Sequence, residues 1–219
     1  MVQENIILYD RVYAGHLLAG KLRLYQQSQA MIVALAHGGV VVGFEIAKSL
    51  GLSFDVLPYR KIKHPGNSAQ VVGSVSVHEV LIREDIHNIP QDYIYHQIML
   101  SRIGIEREFN FYYANLPRPS FAGKTVIVVD DVLEESVSVL ACLRGIRKLE
   151  PAKLIVAVPM VKSEALKQVA EEADDTVFLR SDASAESLRS LYRDVPAIKE
   201  DEVRALLVRA KAVQPISDN

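Results

Sequence analysis

Two short apolar runs constrain the fold of this chain most. MIVALA, residues 31–36, stops at His-Gly-Gly, and VIVV, residues 126–129, stops at Asp-Asp. A strand with no polar face must be covered on both sides, which is the pattern of parallel sheets flanked by helices. A helical pattern follows each run. VVVGFEIAKSLG closes on Gly51, a residue suited to a left-handed helix end, and residues 136–149 form the second helix. FDVLPYRKI, residues 54–62, reads as the next strand, completing a βαβ unit.

The same alternation continues. Leu17, Leu18 and Leu22 place a helix within residues 10–27, with Asp10 as its N-cap. QVVGSVSVHEVLIR reads as a hairpin after the turn-rich KHPGNS. Residues 90–113 form a long helix marked by Ile94, Ile98, Ile105 and Phe109, and NLPRPSFAG breaks it. Strands follow at 153–158 and 175–179, and helices at 163–172 and 200–211. In the last of these, alternating charges suggest a solvated face. The expected fold class is α/β with a central parallel sheet.

The chain has 219 residues, 49% of them hydrophobic, enough for a large core. The net charge of -2 without a Lys/Arg run speaks against nucleic-acid binding. A single cysteine, Cys142, excludes an internal disulfide and sits in the apolar helical run VSVLACL. The N-terminal residues carry no targeting pattern and no apolar run reaches membrane-spanning length, so a soluble cytoplasmic protein without membrane contact is expected. His64, before Pro65-Gly66, reads as a solvated turn residue rather than a catalyst; His78, His87 and His96 lack metal-ligand spacing, and no protein-held metal is expected.

Ligands of open parallel sheets sit at the carboxyl ends of the strands. Gly38 and Gly39 would let the backbone approach an anion at a helix N-terminus, or would simply make a tight turn. Asp130 and Asp131 could accept sugar hydroxyls or hold hydrated Mg²⁺, or could cap the next helix. Arg60 and Lys61 offer positive charge, or are an exposed strand end.

With those residues in view, VIVVDDVLEESVS resembles the phosphoribosyl-pyrophosphate signature of type I phosphoribosyltransferases. LYDRVYAGHLLAGKL, ALAHGGVVVGFEIAKSLGLSFDVLPYRKI, PGNSAQVVGSV and DEVRALLVRA resemble successive blocks of a subgroup of predicted bacterial members, across residues 8–210. The resemblance implies one domain over 1–219, with a small hood from parts of 63–119 and the C-terminal segment. It implies transfer of ribose 5-phosphate from phosphoribosyl pyrophosphate to a nitrogen base, with Mg²⁺ carried largely by the ligand. Asp130 and Asp131 would bind the ribose hydroxyls, and Glu134 would approach a nucleobase. Glu135, Ser136, Val137 and Ser138 would cradle the 5′-phosphate. His37, Gly38 and Gly39 would face the pyrophosphate, with Arg60 and Lys61 adding charge. A homo-oligomer is compatible with this picture.

The loop departs from the family pattern. Glu134 and Glu135 occupy positions that are often Thr, Ser136 replaces a glycine, and Ser138 replaces a Thr. His37 stands where the subgroup usually has Arg, and Ala69 where it has a carboxylate. Two glutamates repel a phosphate carrying about -1.5 to -2 charge. At a helix N-terminus they are locally favourable, by roughly 0.3–1 kcal/mol each. The expectation is that they take the phosphate's place on the helix, leaving a catalytically inactive or altered relative that binds a nucleotide-like metabolite or a protein partner.

Overall fold

A computed structural model describes residues 8–114, 116–117, 120–182, 187, 190 and 192–213. Its centre is a sheet of parallel strands. β1 (Met31–Leu35) lies between β2 (Ser53–Leu57) and β6 (Thr125–Val129), and β6 pairs with β8 (Lys153–Val161). β9 (Asp175–Ser181) covers the far side of β8. The two-residue β7 (Val132–Leu133) pairs with the end of β8 beyond the reach of β6.

Alternate strand residues feed opposite cores, as the two-residue period of a strand requires. Ile32, Ala34, Ile127 and Val129 point into a core shared with α1 (Arg11–Lys21), α2 (Gly39–Leu50) and α6 (Glu200–Val213). Met31, Val33, Leu35, Val126 and Val128 point into the other, shared with α4 (Ser136–Arg147) and α5 (Ser163–Ala170). Asp10 caps α1 by accepting from the Tyr13 N–H at 2.7 Å. Gly51 ends α2 at φ 66°, the left-handed conformation that costs a glycine least. α6 is amphipathic: its charges line the outer face, while Val203 and Leu207 are buried against α2 and β2.

One predicted strand divides in two. FDVLPYRKI breaks at Pro58, whose missing N–H ends β2's ladder. The chain then leaves the main sheet and starts β3 (Tyr59–His64). Arg60 and Lys61 therefore begin a strand of a different sheet and do not end the one expected. β3, β4 (Asn67–Ser76) and β5 (Val80–Ile82) form an antiparallel sheet. Helix α3 (Gln91–Tyr113) covers it through Ile94, Ile98 and Ile105, which meet Ile62, Val72 and Val75. The C-terminal helix packs into the main core, while residues 197–198 reach the strand ends. Among the described residues no helix is long and apolar enough to cross a membrane.

Candidate functional site

β1 and β6 run side by side in parallel, so the turns after them share one edge. There they wall a cavity of about 440 Å³ with β3 and residues 197–198. The glycine pair is required by this packing. A Cβ on Gly38 would fall inside the Asp131 carboxylate, and one on Gly39 would strike the Val129 carbonyl. Gly38 lines the cavity with His37; Gly39 does not.

The adjacent aspartates have different environments. Asp131 is buried, and its Oδ2 accepts from Arg11 Nε at 2.8 Å and Arg11 Nη2 at 2.7 Å. Arg11 Nη1 donates to the Pro196 carbonyl at 2.5 Å, and Tyr192 Oη donates to the Asp131 carbonyl at 2.9 Å. Asp130 is also buried, and its Oδ1 accepts from the Asp131 N–H at 2.8 Å. Burial, then the neighbouring Asp131 charge, pushes the Asp130 carboxyl well above the usual carboxylate range.

The cavity's cations are unequally engaged. Arg60 grips Glu108 of α3 with two N–H donors, at 2.9 and 2.5 Å. Glu108 is buried, and His37 Nε2 lies 3.8 Å from its Oε1. Lys61 lines the cavity with no ion pair among the described residues.

The side chains of the loop before α4 do not cap the helix. Glu135 is the N-cap residue, yet its side chain accepts no helix N–H, and its buried Oε2 has no hydrogen-bond partner. Glu134 accepts from Ser187 Oγ at 2.8 Å. If the two carboxylates stand in for a phosphate on the helix, they do so by charge alone: among the described residues neither accepts an N–H of α4. Ser136 turns toward α5 and donates to Gln168 Oε1. Val137 does not line the cavity. Ser138 does; its side chain is 3% exposed, and its Oγ has no partner.

The structure thus gathers His37, Gly38, Arg60, Lys61, Asp130, Asp131, Glu134, Glu135 and Ser138 around one cavity, and leaves Gly39, Ser136 and Val137 off its wall. It adds two charged residues that sequence reasoning missed. Arg11 lies on the buried stripe of α1 with Ala14, Leu18 and Leu22. Glu108 lies on the buried stripe of α3 between Ile105 and Tyr112. A charge on an apolar helical stripe was the available signal in both cases. Among the described residues no group of three or more His, Cys, Asp or Glu could hold a metal ion.

A parallel sheet with a small antiparallel hood over its carboxyl edge, an aspartate pair and a glycine turn define the phosphoribosyltransferase architecture. The phosphoribosyl transferase domain family matches residues 10–187, and the chain belongs to that family. Two Mycobacterium tuberculosis proteins provisionally named as phosphoribosyl transferases are each 26% identical over 208 residues, 92% of this chain and 46% of theirs. The chain spans about half the length of these curated relatives. The crystal structure of TT1426 from Thermus thermophilus superposes with a TM-score of 0.78 at 27% identity, covering 93% of this chain and 99% of that one.

Proposed function

We propose that the cavity binds a phosphoribosyl ligand, either phosphoribosyl pyrophosphate or a nucleoside monophosphate. The observation that carries this reading is the meeting of Asp130, the Gly38 turn and Lys61 at one sheet edge. Asp130 and Asp131 are the acceptors for ribose hydroxyls. Lys61 faces the pyrophosphate, assisted by Arg60, and Glu134 lies toward the base. In an active protein the C1–O bond of the ribose breaks, pyrophosphate leaves with the electron pair, and a base nitrogen forms the new bond to C1 and gives up its proton to solvent. Fixed positive groups would stabilise the leaving charge as it develops.

A resident metal does not fit the residues present. Asp131 Oδ2 is committed to Arg11, and burial favours the protonated form of Asp130. Mg²⁺ enters this proposal only as part of the ligand's own salt, and no step depends on a protein-held ion.

A second, non-catalytic reading is favoured by one feature. The buried Glu135 Oε2 stands beside Ser138, where a 5′-phosphate would be held. Of the cavity's arginines, Arg11 and Arg60 already neutralise Asp131 and Glu108, so within the cavity Lys61 is left to face the phosphate beside the loop carboxylates. Phosphate affinity is then low, and the protein senses a nucleotide-like metabolite without turning it over.

The test is thermal unfolding with phosphoribosyl pyrophosphate and with purine and pyrimidine monophosphates, each with Mg²⁺, followed by assay of pyrophosphate release from phosphoribosyl pyrophosphate in the presence of free purine and pyrimidine bases. Any ligand of the native state raises the melting temperature by mass action. A rise with release supports the enzyme, and a rise without release supports the sensor. No rise with any phosphoribosyl ligand at about 10 mM overturns both, since a Kd near 1 mM would then contribute about 1.4 kcal/mol.

A further inference from the structure

A buried carboxylate stands behind the cationic wall of the cavity. Glu108 of α3 is 1% exposed, a place where an unpaired charge is strongly destabilising. Arg60 Nη1 donates to its Oε2 at 2.9 Å, and Arg60 Nη2 donates to its Oε1 at 2.5 Å. The guanidinium passes alongside Gly104, one helical turn before Glu108. Both terminal nitrogens of Arg60 are thus turned toward α3, although the residue lines the cavity and its side chain is 31% exposed.

His37 approaches the same carboxylate from the turn after β1. Its Nε2 is 3.8 Å from Glu108 Oε1, beyond hydrogen-bond reach, and a shift of about 1 Å closes the gap. A histidine that takes up a proton in mild acid becomes a cation with a donor at each ring nitrogen. It then competes with Arg60 Nη2 for Oε1. The neighbouring groups do not take its place. Burial, then the Glu108 charge, pushes the Tyr112 hydroxyl above its ordinary range and keeps it neutral. Glu200 of α6 adds only a more distant negative charge to Arg60 and Tyr112. A lysine keeps its charge across this range, and Lys61 lines the same wall. Toward β6, Asp131 is held by Arg11, while burial raises Asp130.

We propose that Glu108 is a positioning residue for pyrophosphate binding: it holds Arg60 along α3, and protonated His37 takes over its Oε1 so that Arg60 Nη2 turns to the anion. The inference rests on the phosphoribosyl reading of the cavity. Pyrophosphate affinity rises as pH falls, because one proton both adds a positive charge to the wall and releases an arginine donor. An arginine at position 37 would engage Glu108 at any pH, so the histidine is what makes the wall responsive.

Chemical-shift titration with inorganic pyrophosphate across a pH series tests this. Between roughly pH 8 and 6 the affinity of the unmodified chain should rise at least about fivefold more than that of His37→Asn, the low end of coupling between two sites. Protonation of pyrophosphate and of Asp130 is common to both chains and cancels in that ratio. His37→Arg should bind at the alkaline end as tightly as the unmodified chain does at the acid end. Glu108→Gln should bind more tightly at the alkaline end and lose most of the pH response; its melting temperature shows whether it folds, and the variants at partly exposed His37 decide the matter without it. A merely structural Glu108 would leave the pH profile unchanged. Parallel profiles for the unmodified chain and His37→Asn overturn the inference and leave the cavity reading intact. Absence of pyrophosphate binding in every chain also overturns it, and removes the cavity reading only if phosphoribosyl pyrophosphate and the nucleoside monophosphates leave the melting temperature unchanged as well.

Discussion

The two ends of the cavity differ in how their polar groups are satisfied. At the sheet end Asp131, Arg11, Pro196 and Tyr192 form one hydrogen-bonded cluster. At the α4 end Glu135 Oε2 and Ser138 Oγ are buried without partners. A buried polar atom costs free energy when unpaired and little when paired. The first end is thus a structural fixture that also presents Asp130. The second holds unmet hydrogen-bonding capacity but the wrong charge for a phosphate. On the proposed reading, the sheet end offers its carboxylates to a ribose, while the helix end sets carboxylates against a phosphate.

The largest expected effect breaks the well-paired end. Arg11→Met takes two guanidinium N–H donors from the buried Asp131 carboxylate, and breaking a buried pair costs about 3–5 kcal/mol. Urea denaturation should show that loss, and Arg11→Met with Asp131→Asn should recover most of it. Equal stability of the single and double variants would mean that the ion pair is not what joins α1 to β6.

A smaller effect separates the two aspartates by pH. Burial raises the folded-state value of Asp130 above its unfolded one. Its contribution to stability is then complete below the unfolded value of about 4 and is lost as pH rises through the folded one. Asp130→Asn should flatten that decline. Asp55 calibrates the measurement from outside the cavity. Burial pushes it up to about 6 against a bond from Tyr113. Asp55→Asn should remove a decline of up to about 3 kcal/mol between roughly pH 4 and 6. Denaturation midpoints across that range check both, and a slope unchanged by Asp130→Asn would show that its environment does not favour the proton.

The smallest effect concerns the helix end. Glu135→Thr supplies an N-cap side chain able to accept a helix N–H, for a gain of about 1 kcal/mol. The helix dipole alone gives the opposite sign, because it counts Glu135 as favourable. Thermal unfolding without ligand decides which term prevails; a loss of stability would restore the reading in which the glutamates stand in for a phosphate.

Much of this fold was legible in the sequence because burial on both faces leaves an unbroken apolar run. Residues 31–36 and 126–129 announced parallel strands whose turns share an edge, and Gly51 marked a helix end. β7 was not legible, since two residues carry no period. The division at Pro58 was missed because apolar and polar residues continue through it in strand-like order. In the site, Asp130 and Asp131 stood out by following an apolar strand. Their unequal roles did not, because the partner that separates them, Arg11, lies 120 positions away. The loop glutamates could be read for charge but not for direction, and direction decides whether they cap the helix.

Calorimetry compares the two ends most directly. Phosphoribosyl pyrophosphate with Mg²⁺ is titrated into the unmodified protein, and into a variant carrying Glu134→Thr, Glu135→Thr, Ser136→Gly and Ser138→Thr. The altered helix end should hold the unmodified protein to a Kd of about 1 mM or weaker, near -4 kcal/mol. Removing two negative charges and restoring a glycine should tighten binding at least about tenfold. Low-micromolar, Mg²⁺-dependent binding by the unmodified protein would contradict the account, since its glutamates would then be part of a working phosphate site.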